Sequence, residues 1–220
     1  MEEKKFFIDD LYHNYFKVYE KKGRGKKILI ISGIHGDEYT SIYVNEKLKD
    51  DLDKINSDFN ITILPIANMG AFLYRSRCSP YGGEDLNRIF PGDPNGSLSE
   101  RLANQIFNIA MENDLVIDLH SCGFLCRPYV LLNFKEKGDV KLKMDIVHIV
   151  KSKGRKGQLM TELIKNGVES FIIEVPSGFG GYIQVDHANN IYNALKNFLE
   201  EKNKKTRHVY LDPIVKVRAE

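Results

Sequence analysis

Strand-length apolar runs alternate along this chain with stretches whose apolar residues recur at helical spacing, and that alternation limits the fold more than any other feature. Strands are expected over residues 15–19, 27–32, 60–67, 115–119, 129–134 and 171–175. Several, such as ILIIS at 28–32, are apolar almost throughout, as strands covered on both faces must be. Helices are expected over residues 37–49, 98–112, 140–151, 159–165 and 183–201. Strands interleaved with helices define an α/β chain. The start of the second helix carries its own signal. Ser97 followed three residues later by Glu100 is a capping box, in which each side chain satisfies a backbone amide left free in the first turn. A final strand is expected over residues 208–217, after a charged stretch at 200–207 that reads as a solvated helix end and linker.

With 220 residues the chain is long enough for one good core and short for two, since domains run about 100–200 residues. A single domain spanning 1–220 is the starting expectation. The 32 Lys and Arg nearly balance 30 Asp and Glu, leaving a net charge of +2, so no global field points to nucleic acid or to an anionic membrane. Any affinity for anions must be local. The opening MEEKKFFIDDLYHNYF lacks the apolar run of a secretory signal, and no apolar stretch approaches the roughly 20 residues that cross a bilayer. Cys78, Cys122 and Cys126 make an odd set that reads as free thiols, which fits a reducing, cytoplasmic setting.

Chemistry is concentrated where two expected strands end. The run ILIISGIHGDEYT places His35 and Glu38, spaced H-x-x-E, just beyond a buried strand. The run LVIDLHS delivers His120 at the end of another, on the sheet edge where open α/β folds bind ligands. Two neutral imidazoles and one carboxylate suit zinc, and three protein ligands leave a fourth tetrahedral position open, which marks a catalytic site over a structural one. Asp118, two residues before His120 and on the same strand face, is a candidate to orient that ring. Taken alone, H-x-x-E spacing arises often by chance. The stretch from Asn68 to Gly96, rich in Gly, Pro, Asn and Arg and without periodicity, is too long for a passive connection in a compact domain.

That stretch reads NMGAFLYRSRCSPYGGEDLNRIFPG, with Asn68, Arg77 and the block D-L-N-R-x-F-P-G from Asp85 to Gly92. Together with H-G-x-E at 35–38, D-L-H at 118–120 and the late strand FIIEVPSG ending on Glu174, it resembles the succinylglutamate desuccinylase and aspartoacylase family of carboxypeptidase A-like zinc hydrolases. The resemblance runs from about Ile28 to Leu199 with the motifs in family order. It implies a three-layer α/β/α fold with a mixed, mostly parallel central sheet, and one zinc ion held by His35, Glu38 and His120. It further implies that Glu174 is the general base, that Arg77 polarises the scissile carbonyl, and that Asn87 with Arg88 grips a substrate carboxylate. The implied activity is deacylation of an N-acyl amino acid or similar small amide by zinc-activated water. Family members carry a C-terminal β domain for which this chain has little room, so a more open pocket is expected.

Two other readings compete. A metallocarboxypeptidase or peptidoglycan-peptide hydrolase would use the same metal and profit from an open cleft. A catalytically idle metal-binding module would keep the fold without turnover, which sits poorly with the presence of Arg77 and Glu174 beside all three ligands. Cys122 and Cys126 follow His120 closely, yet with two histidines and a glutamate already assigned they are read as thiols and not as ligands. His13, His148, His187 and His208 stand alone in the sequence and read as surface or helix-face residues. The small-molecule substrate, the acyl group and the oligomeric state are not specified by these motifs.

Overall fold

The structure is a computed structural model that describes residues 1–9, 14–133, 144–178, 181–202 and 209–211. The strands are β1 (Glu2–Asp9), β2 (Asn14–Lys21), β3 (Lys27–Ser32), β4 (Asn60–Leu64), β5 (Leu115–Cys122), β6 (Tyr129–Asn133), β7 (His148–Ser152), β8 (Glu169–Pro176) and β9 (Val209–Leu211). The helices are α1 (Tyr39–Asp50), α2 (Met69–Leu73), α3 (Leu98–Met111), α4 (Leu159–Lys165) and α5 (Val185–Leu199). Among the described residues the strands form one sheet in the order β1-β2-β4-β3-β5-β8-β6-β7-β9. β4, β3, β5 and β8 run parallel to one another, as do β6, β7 and β9. The joins β1–β2, β2–β4 and β6–β8 are antiparallel.

The period-two alternation of a strand divides the apolar residues between two faces. Ile28, Ile30, Ile117 and Ile173 pack with Val44 and Leu48 of α1 and Ile191 and Leu195 of α5. Leu29, Ile31 and Val116 pack on the other face with Leu102 and Ile106 of α3 and Leu159 and Leu163 of α4. The three-layer α/β/α arrangement follows directly, with the central strands buried from both sides. α3 starts on the expected capping box, Ser97 Oγ accepting from Glu100 N at 3.2 Å while Glu100 Oε2 accepts from Ser97 N at 2.7 Å.

Several expectations are corrected. The segment expected as a helix over 140–151 is not helical where it is described: residues 144–147 are irregular and 148–152 form β7, paired on one side with β6 and on the other with β9. A run such as HIVKS satisfies either period over so few residues, and the two open strand edges beside it decide the outcome. Residues 140–143 lie outside the described set, as do 208 and 212–217 of the expected last strand. The N-terminal strand β1 was not anticipated, because Phe6 and Ile8 turn inward from an otherwise charged edge strand. The long irregular stretch contains α2, capped by Asn68 Oδ1 accepting from Ala71 N at 3.0 Å, and a single 3₁₀ turn at Leu86–Arg88. Finally, Cys122 and Cys126 are not free thiols. A turn closed by Cys126 N donating to Gly123 O brings their Cα atoms to 6.0 Å and the two are disulfide-bonded, leaving Cys78 free. The argument for a reducing compartment from unpaired cysteines therefore loses its basis. Among the described residues no helix is long and apolar enough to cross a membrane.

Candidate metal centre and active site

Three parallel strands bring the site together at their carboxyl ends. β3 releases the chain into the turn carrying His35 and Glu38, with Glu38 the residue before the first turn of α1. β5 carries Asp118 and His120, and β8 carries Glu174 directly opposite His120 in register. Residues paired in parallel strands point to one face, so His120 and Glu174 share theirs, and Asp118, two residues back, shares it as well. Gly36 has a reason to be glycine. A Cβ there would lie 2.0 Å from the backbone carbon of Ala71, and its N–H donates to Ser76 O at 3.0 Å, locking the ligand turn against α2.

One potential donor atom from each of His35, Glu38 and His120 lies within 4.8 Å of the others, so the three could hold a metal ion. His35 Nδ1 is 2.7 Å from Glu38 Oε1 and His120 Nδ1 is 2.9 Å from Glu38 Oε2, so both rings turn the same nitrogen toward the one carboxylate. Each ring is backed by an acid on its far side. His35 Nε2 is 3.1 Å from Asp85 Oδ1, and His120 Nε2 is 2.9 Å from Asp118 Oδ2. A carboxylate behind an imidazole holds the proton on Nε2 and leaves the Nδ1 lone pair for a cation. Ser121 N donates to Glu38 Oε2 at 2.9 Å and fixes the carboxylate itself. The donor chemistry and its backing fit a zinc ion with three protein ligands.

The electrostatics point the same way. Burial alone would lower the pKa of His120, but Asp118 and Glu38 outweigh it and raise it well above the usual imidazole value. His35 is raised likewise, burial being overcome by hydrogen bonds to Asp85 and Glu38. Burial would lift Glu38, yet His120 and His35 hold it well below the ordinary carboxylate range. Such a cluster is organised to attract positive charge. Glu174 behaves oppositely. Burial raises it to about 7, His120 pulling against that rise while Glu38 and Asp118 push with it. No hydrogen bond or ion pair engages its carboxylate among the described residues, and it faces Tyr129 across the β6–β8 pairing.

The remaining expected residues are placed unequally. The Arg77 guanidinium is half-exposed; its Nε and Nη2 each lie 2.9 Å from Asp85 Oδ2, and its Nη1 is 3.8 Å from Glu38 Oε1, at the edge of the ligand cluster. Arg88 is exposed, with Nη1 donating to Asn87 O at 2.6 Å. Asn87, expected to orient a substrate carboxylate, is buried with its amide committed to the protein. Its Oδ1 accepts from Leu159 N at 2.9 Å and its Nδ2 lies 3.2 Å from His120 Nε2. Gly157 permits this fit, because a Cβ there would come within 1.9 Å of Arg88 O. Asp85 went unassigned in the sequence although it opens the D-L-N-R block. It caps the 3₁₀ turn through Asn87 N at 2.9 Å while its other contacts reach His35 and Arg77. Its place at the head of the D-L-N-R block was the available signal.

An α/β sheet bearing a two-histidine, one-glutamate cluster at the ends of adjacent parallel strands, with a free carboxylate beside it, defines the class. The chain belongs to the succinylglutamate desuccinylase/aspartoacylase family, whose catalytic domain matches residues 24–201. Among its relatives, N-alpha-acetyl-L-2,4-diaminobutyric acid deacetylase from Halomonas elongata is 39% identical over 104 residues, which make up 47% of this chain and 30% of that enzyme. The product-bound ectoine utilization protein EutE (DoeB) from Ruegeria pomeroyi matches with a TM-score of 0.76 at 23% identity, over 92% of this chain and 66% of that one. A succinylglutamate desuccinylase/aspartoacylase family protein from Shewanella amazonensis matches with a TM-score of 0.75 at 17% identity, over 96% and 78%. These structural likenesses establish a shared fold. This chain covers less than two thirds of the length of the deacetylase and of the EutE structure.

Proposed function

We propose that this chain is a zinc-dependent amidohydrolase that cleaves the amide bond of an N-acyl amino acid or a similar small carboxylate-bearing amide. The observation that carries this reading is the convergence of His35, Glu38 and His120 with the uncommitted carboxylate of Glu174 in register beside them. A bound zinc ion would supply Lewis acidity, lowering the pKa of water toward about 7 and polarising a carbonyl oxygen.

The protein's own residues supply the remainder. Glu174, poised near neutrality, takes a proton from the attacking water at a carboxylate oxygen and returns it to the departing amine nitrogen. Arg77, anchored by Asp85 yet half-exposed, presents a guanidinium that stabilises the charge developing on the carbonyl oxygen. Arg88, exposed and steadied by the Asn87 carbonyl, receives the substrate carboxylate, while the Asn87 side chain ties the 3₁₀ turn to the start of α4 through Leu159 N. The deacetylase relative acts, by its name, on an N-acetylated diamino acid, which agrees with this substrate class.

The test is hydrolysis by zinc-reconstituted protein of N-acetyl and N-succinyl amino acids against short peptides. Release of the free amino acid, abolished by chelation and restored by zinc, is expected. Preferential cleavage of peptides would move the assignment to a carboxypeptidase-type enzyme. Tight zinc binding without turnover across the panel would mark an idle module.

A further inference from the structure

Beside the ligand turn lies an open groove of about 760 Å³, walled by Tyr39, Phe72, Leu73, Arg75, Tyr182 and Ile183. Its apolar residues are conspicuously uncovered: Leu73 is 56% exposed, Tyr182 77% and Ile183 41%. Grouped around one groove, these side chains offer apolar surface that a bound group could cover. The groove adjoins the turn that carries His35 and Glu38. Tyr39 directly follows the ligand Glu38, and Gly181, next to Tyr182, sits where a Cβ would be 3.5 Å from the Tyr39 ring and 3.7 Å from the carbonyl of Asp37, inside the H-G-x-E turn. Its walls are held at defined positions. The Tyr39 and Phe72 rings meet edge to face at 6.0 Å, Gln184 N donates to Thr40 Oγ1 at 3.3 Å, and Arg75 N donates to Phe72 O at 3.1 Å.

From the cluster of ligands, the groove opens on the α1 and α2 side, whereas Asn87 and Arg88 lie toward α4. A substrate whose carboxylate rests on Arg88 and whose amide lies at the metal centre would direct its other end toward the α1 and α2 side, where the groove lies. Resting on the amidohydrolase reading above, we infer that the acyl half of the substrate is a large apolar group, aromatic or medium-chain aliphatic, seated between Tyr39, Phe72, Leu73 and Tyr182. An acetyl group would leave most of these walls in water. Aromatic acyl groups are favoured further, since they can stack on the tyrosine and phenylalanine rings and meet the Arg75 guanidinium at their π face.

The test compares N-acetyl, N-hexanoyl and N-phenylacetyl derivatives of glycine, aspartate, glutamate and lysine, in two arms. In the first, zinc-reconstituted protein is assayed for kcat/KM. The apolar acyl forms are expected to exceed the acetyl form of the same amino acid by about tenfold or more, and Leu73→Ser with Tyr182→Ser to cut that ratio by about tenfold. In the second arm, calorimetry measures binding of the same compounds to metal-free protein, where no turnover is needed. Phenylacetyl compounds are expected to bind at least tenfold more tightly than their acetyl counterparts, with the advantage lost in the double variant. Equal binding of acetyl and phenylacetyl compounds, or an advantage that survives both substitutions, overturns the inference. Absence of any turnover with intact selective binding overturns the amidohydrolase reading and leaves the groove standing.

Discussion

Asp118 Oδ2 lies 2.9 Å from His120 Nε2, and the opposite nitrogen of the same ring lies 2.9 Å from Glu38 Oε2. One imidazole is thus held between a fully buried acid and the carboxylate of a candidate ligand, which fixes its orientation without a cation. Asp85 repeats the arrangement behind His35 at 3.1 Å.

Removing such a backing acid should weaken the ion without removing a ligand. Asp118→Asn is expected to lower zinc affinity by about 10–100-fold, as loss of comparable backing acids does. His120→Ala should abolish tight binding altogether. Competition titration against a chromophoric chelator measures both, and an unchanged affinity in Asp118→Asn would show that the ring is oriented by other means.

Glu174 separates metal binding from chemistry. Glu174→Gln preserves shape and leaves the three ligands in place, so bound zinc per chain should match the wild type while turnover falls by about 10²–10⁴-fold, the usual contribution of a positioned base. In the wild type, kcat/KM should rise with pH as Glu174 loses its proton. The metal-free pKa of about 7 sets the upper limit of that midpoint, because a nearby divalent cation favours the carboxylate. A wild-type midpoint well above 7, or an acid limb that persists unchanged in the residual activity of Glu174→Gln, would argue against this base.

The same residue should cost stability when no cation is present. Its folded pKa of about 7 stands above the unfolded value near 4.5, so the folded state binds more protons between those values and stability falls as pH rises through that window. Above pH 7.5 or so the penalty is close to fully developed, on the order of 3 kcal/mol. Metal-free Glu174→Gln should therefore unfold at higher denaturant than wild type at about pH 8, with the gap nearly closed at about pH 4.5. Carboxylates held low, such as Glu38, lose their contribution as pH falls through their folded pKa, and they do so in both proteins. The difference isolates Glu174.

The candidate ligand cluster was legible in the sequence because His35 and Glu38 sit in the turn that follows one buried apolar run and His120 falls near the end of another, and such runs announce both the strand and the edge at which it stops. Strand β3 at residues 27–32 and helix α4 at 159–165 coincide with the elements expected there. What failed was decided by partners distant in sequence. β7 is a strand because β6 and β9 flank it, and HIVKS alone does not encode those neighbours. The Cys122–Cys126 bond depends on a tight turn at Gly123, which counting cysteines cannot reveal. Asn87 appears in its motif as a polar residue available to substrate, yet Leu159 of α4 claims its amide oxygen across a long stretch of chain.

The two arginines of the loop should divide the kinetic parameters between them. Arg77 lies 3.8 Å from a ligand carboxylate and is tied to Asp85, which places its charge where a carbonyl oxygen becomes negative in the transition state; Arg88 is exposed and farther along the 3₁₀ turn. An interaction realised only in the transition state lowers kcat and kcat/KM together when removed, whereas one shared equally by ground and transition states raises KM alone. Arg77→Ala is expected to reduce kcat by about 10²–10³-fold with little change in KM, the scale found on removing one such donor. Arg88→Ala should raise KM about tenfold or more for carboxylate-bearing substrates and leave kcat within a few-fold. Steady-state kinetics on one N-acyl amino acid and its carboxamide analogue decides the matter. Loss of the Arg88 effect on the carboxamide supports a carboxylate contact, and an equal effect on both compounds would assign Arg88 to holding the turn through the Asn87 carbonyl.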